Sequence, residues 1–254
     1  MASFTFSDFI QTDQGQRLYD WETPIFDRLV INAFGGTALQ VGAPCLPCLR
    51  ENRMQTHIQT FGLNEDPFSM TFDEHTLPVM AQPEALPFPK ESMDLVILPH
   101  TLNFADSPHH ALREAVRVLE PEGRLILSVF NPFSLWWLRQ RFVTFGANPY
   151  LPSHTCPIGL SRLKDWLTLL GLEIDQGHFG VYTPAFHKKH QFERWAWMDK
   201  AGDRWWPHGA NLIVLSAIKR LPGVKLIGQF RFSRNDPVLS GAPQVGISKD
   251  SIKS

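Results

Sequence analysis

The segment from Glu84 to Pro132 constrains the fold of this chain more than any other part of its sequence. Two apolar runs, Asp94 to Leu98 and Arg124 to Phe130, flank an amphipathic stretch from Pro108 to Leu119. Two buried strands joined by such a helix are typical of a βαβ unit in a parallel sheet. Ligands of open parallel sheets bind beyond the carboxyl ends of the strands. The segment therefore indicates the fold class and the sheet edge at which a functional site lies.

The bulk composition narrows the class of protein. With 254 residues, the chain accommodates one large α/β domain or two small ones. Its net charge of −1 provides no basic field that would attract nucleic acid. No apolar run reaches the roughly 20 residues of a membrane-spanning helix, and the first residues lack the pattern of a signal peptide. Three cysteines, an odd number, argue against a disulfide framework. We therefore expect a cytoplasmic protein.

Further strands and helices surround this unit. Residues 1–36 have near-helical apolar spacing and predict an N-terminal helical cap. Residues 37–228 form the predicted α/β domain, and the polar residues 229–254 predict a disordered tail. Short apolar runs predict further strands at 37–41, 57–61, 78–81, 172–181 and 211–219, and further helices are expected at 48–55, 135–143 and 161–171.

Three motifs within the central segment resemble class I S-adenosylmethionine-dependent methyltransferases, of the broad domain type shared with quinone-biosynthesis enzymes. They are Gln82-Pro83-Glu84-Ala85-Leu86-Pro87-Phe88, Met93-Asp94-Leu95-Val96 and the stretch from Leu112 to Leu125, which reads LREAVRVLEPEGRL. The resemblance implies a three-layer, doubly wound fold with a mostly parallel seven-stranded sheet and an antiparallel last strand. It also implies a methyltransferase that uses S-adenosyl-L-methionine.

The resemblance assigns a cofactor site to the ends of the first strands. The family's glycine loop corresponds to Leu39–Leu46, where Gly42 is kept but Pro44 and Leu46 replace two glycines. Glycine allows the backbone to approach a ligand closely. The matching positions that would hold the cofactor are Gln40, Val41, Gly42, Ala43, Thr60, Gln82, Pro83 and Pro99. Gln82 stands where the family has an aspartate, and its amide carbonyl can accept the same hydrogen bond.

The reaction itself sets few demands on side chains. Methyl transfer depends mainly on alignment of donor and acceptor, and a base is needed only when the acceptor loses a proton early. His100 follows the fourth strand, where the acceptor of the family binds, and is the candidate catalytic residue. The acceptor is expected to be small or apolar. A non-catalytic member of this fold, acting as a binding or regulatory module, is the alternative hypothesis.

Two other features have competing interpretations. Cys45-Leu46-Pro47-Cys48 resembles a dithiol redox motif, in which a helix N-terminus would lower a thiol pKa. The Trp-rich stretch from residue 191 to 206 fits either packing on the sheet, a lid over an apolar acceptor, or weak contact with a membrane surface. No metal site and no strong nucleic-acid signal are evident in the sequence.

Overall fold

The computed structural model describes residues 4–62, 76–142, 149–185 and 209–220, together with Trp195 and Met198. The predicted tail and most of the Trp-rich stretch lie outside these residues. The described residues fall within one compact unit that covers residues 1–222. The domain boundaries at residues 36 and 228 stay predictions.

Seven strands form one sheet in the order β3-β2-β1-β4-β5-β7-β6. Strands β1 to β5 pair in parallel, whereas β7 runs antiparallel to both β5 and β6. The doubly wound sheet with an antiparallel last strand is therefore confirmed. The strands are β1 (Thr37–Val41), β2 (Thr56–Phe61), β3 (Thr76–Met80), β4 (Met93–Pro99), β5 (Leu119–Phe130), β6 (Leu172–Gly180) and β7 (Leu212–Lys219).

The helices supply the other two layers. They are α1 (Phe6–Ile10), α2 (Asp13–Val30), α3 (Thr101–Phe104), α4 (Pro108–Val118), α5 (Leu135–Arg141) and α6 (Leu160–Leu169). Side chains alternate between the two faces of the strands, as the period of two requires. In β4, for example, Val96 and Leu98 join the core cluster that contains α4 and α6, while Leu95 and Ile97 join the cluster that contains α1 and α2.

The helix predicted between β1 and β2 is wrong. Residues 48–51 form a turn and residues 52–54 have no regular secondary structure. Leu46, Cys48 and Leu49 are buried in the same cluster as the apolar face of α2. The N-terminal helix α2 therefore packs over the face of the sheet that a helix after β1 would otherwise cover.

The central βαβ unit matches its prediction closely. Helix α4 buries Ala111, Leu112, Ala115 and Val116. Strand β5 begins at Leu119, earlier than the expected Arg124, and includes the Pro-Glu-Gly stretch in which Glu122 has a φ of 63°. Among the described helices, none is long and apolar enough to cross a bilayer.

Candidate functional site

A cavity of about 480 Å³ opens at the carboxyl ends of the parallel strands. Its wall includes Gly42 after β1, Thr60 near the end of β2, Gln82 after β3 and Pro99 at the end of β4. This volume lies within the range of small-molecule sites, and this sheet edge is where open α/β folds bind ligands. The cavity is therefore the candidate functional site.

The turn after β1 brings backbone rather than side chain to the cavity. Gly42 has a φ of +72°, a conformation that glycine adopts easily and other residues adopt at a cost. Its N–H donates to the carbonyl oxygen of Thr60 at 3.2 Å and to the Thr60 hydroxyl at 3.1 Å. The Thr101 hydroxyl donates to the carbonyl oxygen of Val41. These bonds fasten the turn to strand β2 and to the start of helix α3.

Gln40 holds this turn from beneath. Its side chain is buried, and its Nε2 donates to the carbonyl oxygens of Gly42 at 3.3 Å, Ala43 at 3.0 Å and Leu46 at 3.0 Å. The two N–H bonds of this amide are thus shared among three backbone acceptors in a turn with no helix behind it. Gln40 does not line the cavity.

A tight turn forms the opposite wall. The Ala85 N–H donates to the carbonyl oxygen of Gln82 at 3.1 Å, and Gln82, Pro83 and Glu84 all line the cavity. Glu84 also accepts a hydrogen bond from the backbone N–H of Ser107 through Oε1, at 3.1 Å. This bond links the turn to the start of α4.

Helix α4 clamps the residues that follow this turn. The Arg117 guanidinium donates to the carbonyl oxygens of Leu86 at 3.0 Å and Phe88 at 2.9 Å, while Glu114 accepts from the Leu86 N–H at 3.2 Å. Arg117 and Glu114 also form a salt bridge of 2.8 Å. The side-chain hydrogen bonds from Arg117 hold the pKa of the Glu114 carboxyl below its usual value. The motifs "ALPF" and "LREAVRVL" are thus linked physically, because side chains of the second motif hold the backbone of the first. This contact gives a structural reason for the family's pairing of the two motifs.

His100 lies beneath the cavity, not in its wall. The side chain is fully buried, with Nε2 at 2.8 Å from Glu22 Oε1 of α2 and Nδ1 at 3.3 Å from Asn103 Oδ1. Its ring packs on Phe130 at a centroid distance of 4.3 Å. Both ring nitrogens therefore face oxygen atoms of the protein, and the bond to Glu22 joins α2 to the end of β4. Neither nitrogen points toward a methyl acceptor in the cavity.

The N-terminal segment forms a wall that the sequence did not predict. Phe4, Thr5, Phe6 and Ser7 line the cavity. Phe4 exchanges two hydrogen bonds with Ser153, one at 3.2 Å to the Ser153 hydroxyl and one at 2.8 Å from the Ser153 N–H. The capping box at the start of α1, in which Thr5 and Asp8 each bond the other's backbone N–H, was a readable signal for the helix. The long-range contact with residue 153 left no local signal.

The structure brings six of the nine predicted site residues to the cavity. These are Gly42, Ala43, Thr60, Gln82, Pro83 and Pro99. The other three, Gln40, Val41 and His100, are buried next to it. Their direct contact with a cofactor or substrate stays a prediction, and their observed bonds favour a structural role.

The low thiol pKa expected at Cys48 is wrong. No helix begins there in the described structure, and Cys48 is buried beneath α2. Burial is the main cause that raises the pKa of the Cys48 thiol well above its usual value, and the Glu22 carboxylate adds to it. A thiol in this environment is a poor nucleophile.

Comparisons with known proteins agree with this geometry. The family described as "Methyltransferase domain" matches residues 59–127, a range that contains the end of β2, then β3, β4, α3 and α4, and most of β5. A protein of Escherichia coli (strain K12), "Uncharacterized protein YafS", is 42% identical over 110 residues. That stretch is 43% of this chain and 42% of the relative, so the chain spans less than half the length of that protein.

Solved structures extend the likeness to most of the chain. A chain of the structure described as "Complex between the Haloferax volcanii Trm112 methyltransferase activator and the putative methyltransferase" superposes with a TM-score of 0.57 at 15% identity, covering 82% of this chain and 93% of that one. An S-adenosylmethionine dependent methyltransferase from Mesorhizobium loti gives a TM-score of 0.54 at 13% identity, covering 77% and 96%. The chain has the class I methyltransferase fold. In this methyltransferase fold, the cavity occupies the carboxyl edge of the sheet that the sequence indicated.

Proposed function

We propose that this chain transfers a methyl group from S-adenosylmethionine to a small or apolar acceptor. The observation that carries the proposal is the cavity itself, in which Gly42, Thr60, Gln82 and Pro99 meet at the carboxyl edge of a methyltransferase-fold sheet. Substrate positioning is the main contribution an enzyme makes to such a displacement. A walled cavity of about 480 Å³ supports that role.

The departures from the family's glycine loop are compatible with cofactor binding. Leu46 is buried in the hydrophobic cluster beneath α2, and neither Leu46 nor Pro44 lines the cavity. The two replacements therefore take no space from a ligand. Gly42 keeps a positive φ, which is the geometry that brings bare backbone to the cavity wall.

Each lining residue has a chemically reasonable part in holding the cofactor. Gly42 and Ala43 would offer backbone groups, and the exposed Gln82 side chain would offer an amide to a polar ring edge. When bound, S-adenosylmethionine supplies an activated methyl group. The aromatic wall of Phe4, Phe6 and Phe104 would shield that group from water and orient the acceptor.

The Gly42→Leu variant tests the assignment. A Cβ there would lie 3.6 Å from Thr101 Oγ1, and Gly42 lines the cavity, so a leucine is expected to take space from a ligand. We expect calorimetric titration to show at least a tenfold loss of affinity for S-adenosylhomocysteine, about 1.4 kcal/mol.

Gly171→Leu is the matched control, because Gly171 has a similar φ of +77° but nothing within 4 Å and does not line the cavity. This variant reproduces the backbone strain without the obstruction. Unchanged affinity in folded Gly42→Leu protein would contradict the site assignment.

A further inference from the structure

The cavity wall combines carboxylates with aromatic rings. Among the described residues that line it, Glu84 and Asp106 carry negative charge, the exposed His154 is a titratable base, and no lysine or arginine is present. The Glu84 carboxylate is fixed by its bond from the Ser107 N–H, and Asp106 is exposed at the end of α3. Carboxylates therefore outnumber lysine and arginine side chains in the described lining of this cavity, although the whole chain is nearly neutral.

Two aromatic rings line the same cavity as these carboxylates. Phe6 from α1 and Phe104 from α3 have centroids 5.4 Å apart and planes at 51°, and both line the cavity with Asp106. Aromatic faces attract cations through their quadrupole, by about 0.5–1 kcal/mol at exposed sites. A cation with an apolar body thus finds favourable partners here, whereas a carboxylate or phosphate finds no lysine or arginine among the described residues that line the cavity.

We infer that the acceptor is an amine with an apolar body, rather than a carboxylic acid or a phosphate ester. The inference rests on the proposed methyl transfer and adds the substrate class. The protonated amine binds against the carboxylates and rings, and it loses one proton to water at the open mouth of the cavity. The lone pair of the neutral nitrogen then forms the new N–C bond as the S–C bond of the sulfonium breaks. The electron pair of the broken bond stays on sulfur, and the methylated nitrogen carries the positive charge.

Three small molecules of similar shape serve as probes. They are 2-phenylethylamine, 2-phenylethanol and 3-phenylpropanoate, each titrated calorimetrically into protein saturated with S-adenosylhomocysteine. We expect the amine to bind at least about threefold more tightly than the carboxylate, as partly exposed charges allow. Asp106→Asn is expected to move this ratio toward one.

Asp165→Asn supplies the control, since it removes one exposed carboxylate of α6 that does not line the cavity. The ratio should be unchanged in that variant. Equal or tighter binding of 3-phenylpropanoate, a ratio that Asp106→Asn leaves unchanged, or no binding of any probe would overturn the inference. If S-adenosylhomocysteine itself fails to bind, the proposed function fails. The same probes titrated into ligand-free protein then still decide the charge preference.

Discussion

The Gln40 side chain donates hydrogen bonds to carbonyl oxygens of the turn after β1. Without them, each of these backbone acceptors would lose a donor. Three carbonyl oxygens converge on the Gln40 Nε2, at 3.0 to 3.3 Å. The related family has an acidic residue at this position, and a carboxylate there would face those oxygens with no proton to donate. The glutamine is therefore part of a different turn, not a weakened copy of the family's loop.

This arrangement predicts that restoring the acidic residue is harmful. Gln40→Glu should lower the free energy of unfolding by about 2–4 kcal/mol, because it places a buried charge beside unpaired acceptors. Gln40→Met removes the same bonds without the charge and should cost about 1–3 kcal/mol. Urea denaturation of both variants measures the difference. A Gln40→Glu protein as stable as the wild type would contradict the role assigned to the amide.

At the scale of elements, helix α4 controls the geometry of the cavity wall. Arg117 and Glu114 bind the backbone of residues 86–88, directly after the turn that carries Gln82 and Glu84. Charge-assisted bonds are stronger than neutral ones, and here both partners are partly shielded from water. The wall is thus held by a helix that itself makes no contact with the cavity.

We predict that Arg117→Ala loosens this wall. The free energy of unfolding should fall by about 1–2 kcal/mol, with two carbonyl oxygens losing their donors. The affinity for S-adenosylhomocysteine should fall several-fold. Arg113→Ala, at an exposed position of the same helix, is the control and should change neither quantity. Equal behaviour of the two variants in denaturation and calorimetry would refute the clamp.

The same pair predicts a pH dependence. Because the Glu114 pKa is lowered in the folded protein, its contribution to stability is present above the unfolded carboxyl pKa of about 4.3 and is lost as the pH falls through the folded value. Comparison of wild-type protein with Glu114→Gln in urea, from pH 7 down to pH 3, checks this. The stability difference should shrink toward acid pH. A constant difference would show that the lowered pKa has no energetic effect.

At the scale of the whole molecule, local sequence patterns predicted the sheet. They did not predict the contacts between residues that lie far apart in the chain. The strands and α4 were readable because apolar periodicity and turn residues lie within each element. The six cavity residues followed from the family motifs, which mark strand ends. The part of the cavity wall formed by residues 4–7 could not be predicted from the sequence, because its position depends on hydrogen bonds between Phe4 and Ser153.

Long-range burial also explains the errors. Leu46, Cys48 and Leu49 pack against α2, a helix that precedes them in the chain, so the missing crossover helix reflects tertiary burial that no local pattern shows. His100 follows β4 as predicted, but its Nε2 is hydrogen-bonded to the Glu22 carboxylate of α2. The N-terminal cap is thus integral to the core of the fold and to the site.

The central claim is that this cavity binds S-adenosylmethionine, and calorimetric titration of the intact chain with S-adenosylmethionine and then S-adenosylhomocysteine tests it most directly. The account predicts one site per chain with micromolar affinity for both, about −8 kcal/mol. No heat of binding for either molecule, from protein shown to be folded by circular dichroism, would contradict the claim and favour a non-catalytic binding module.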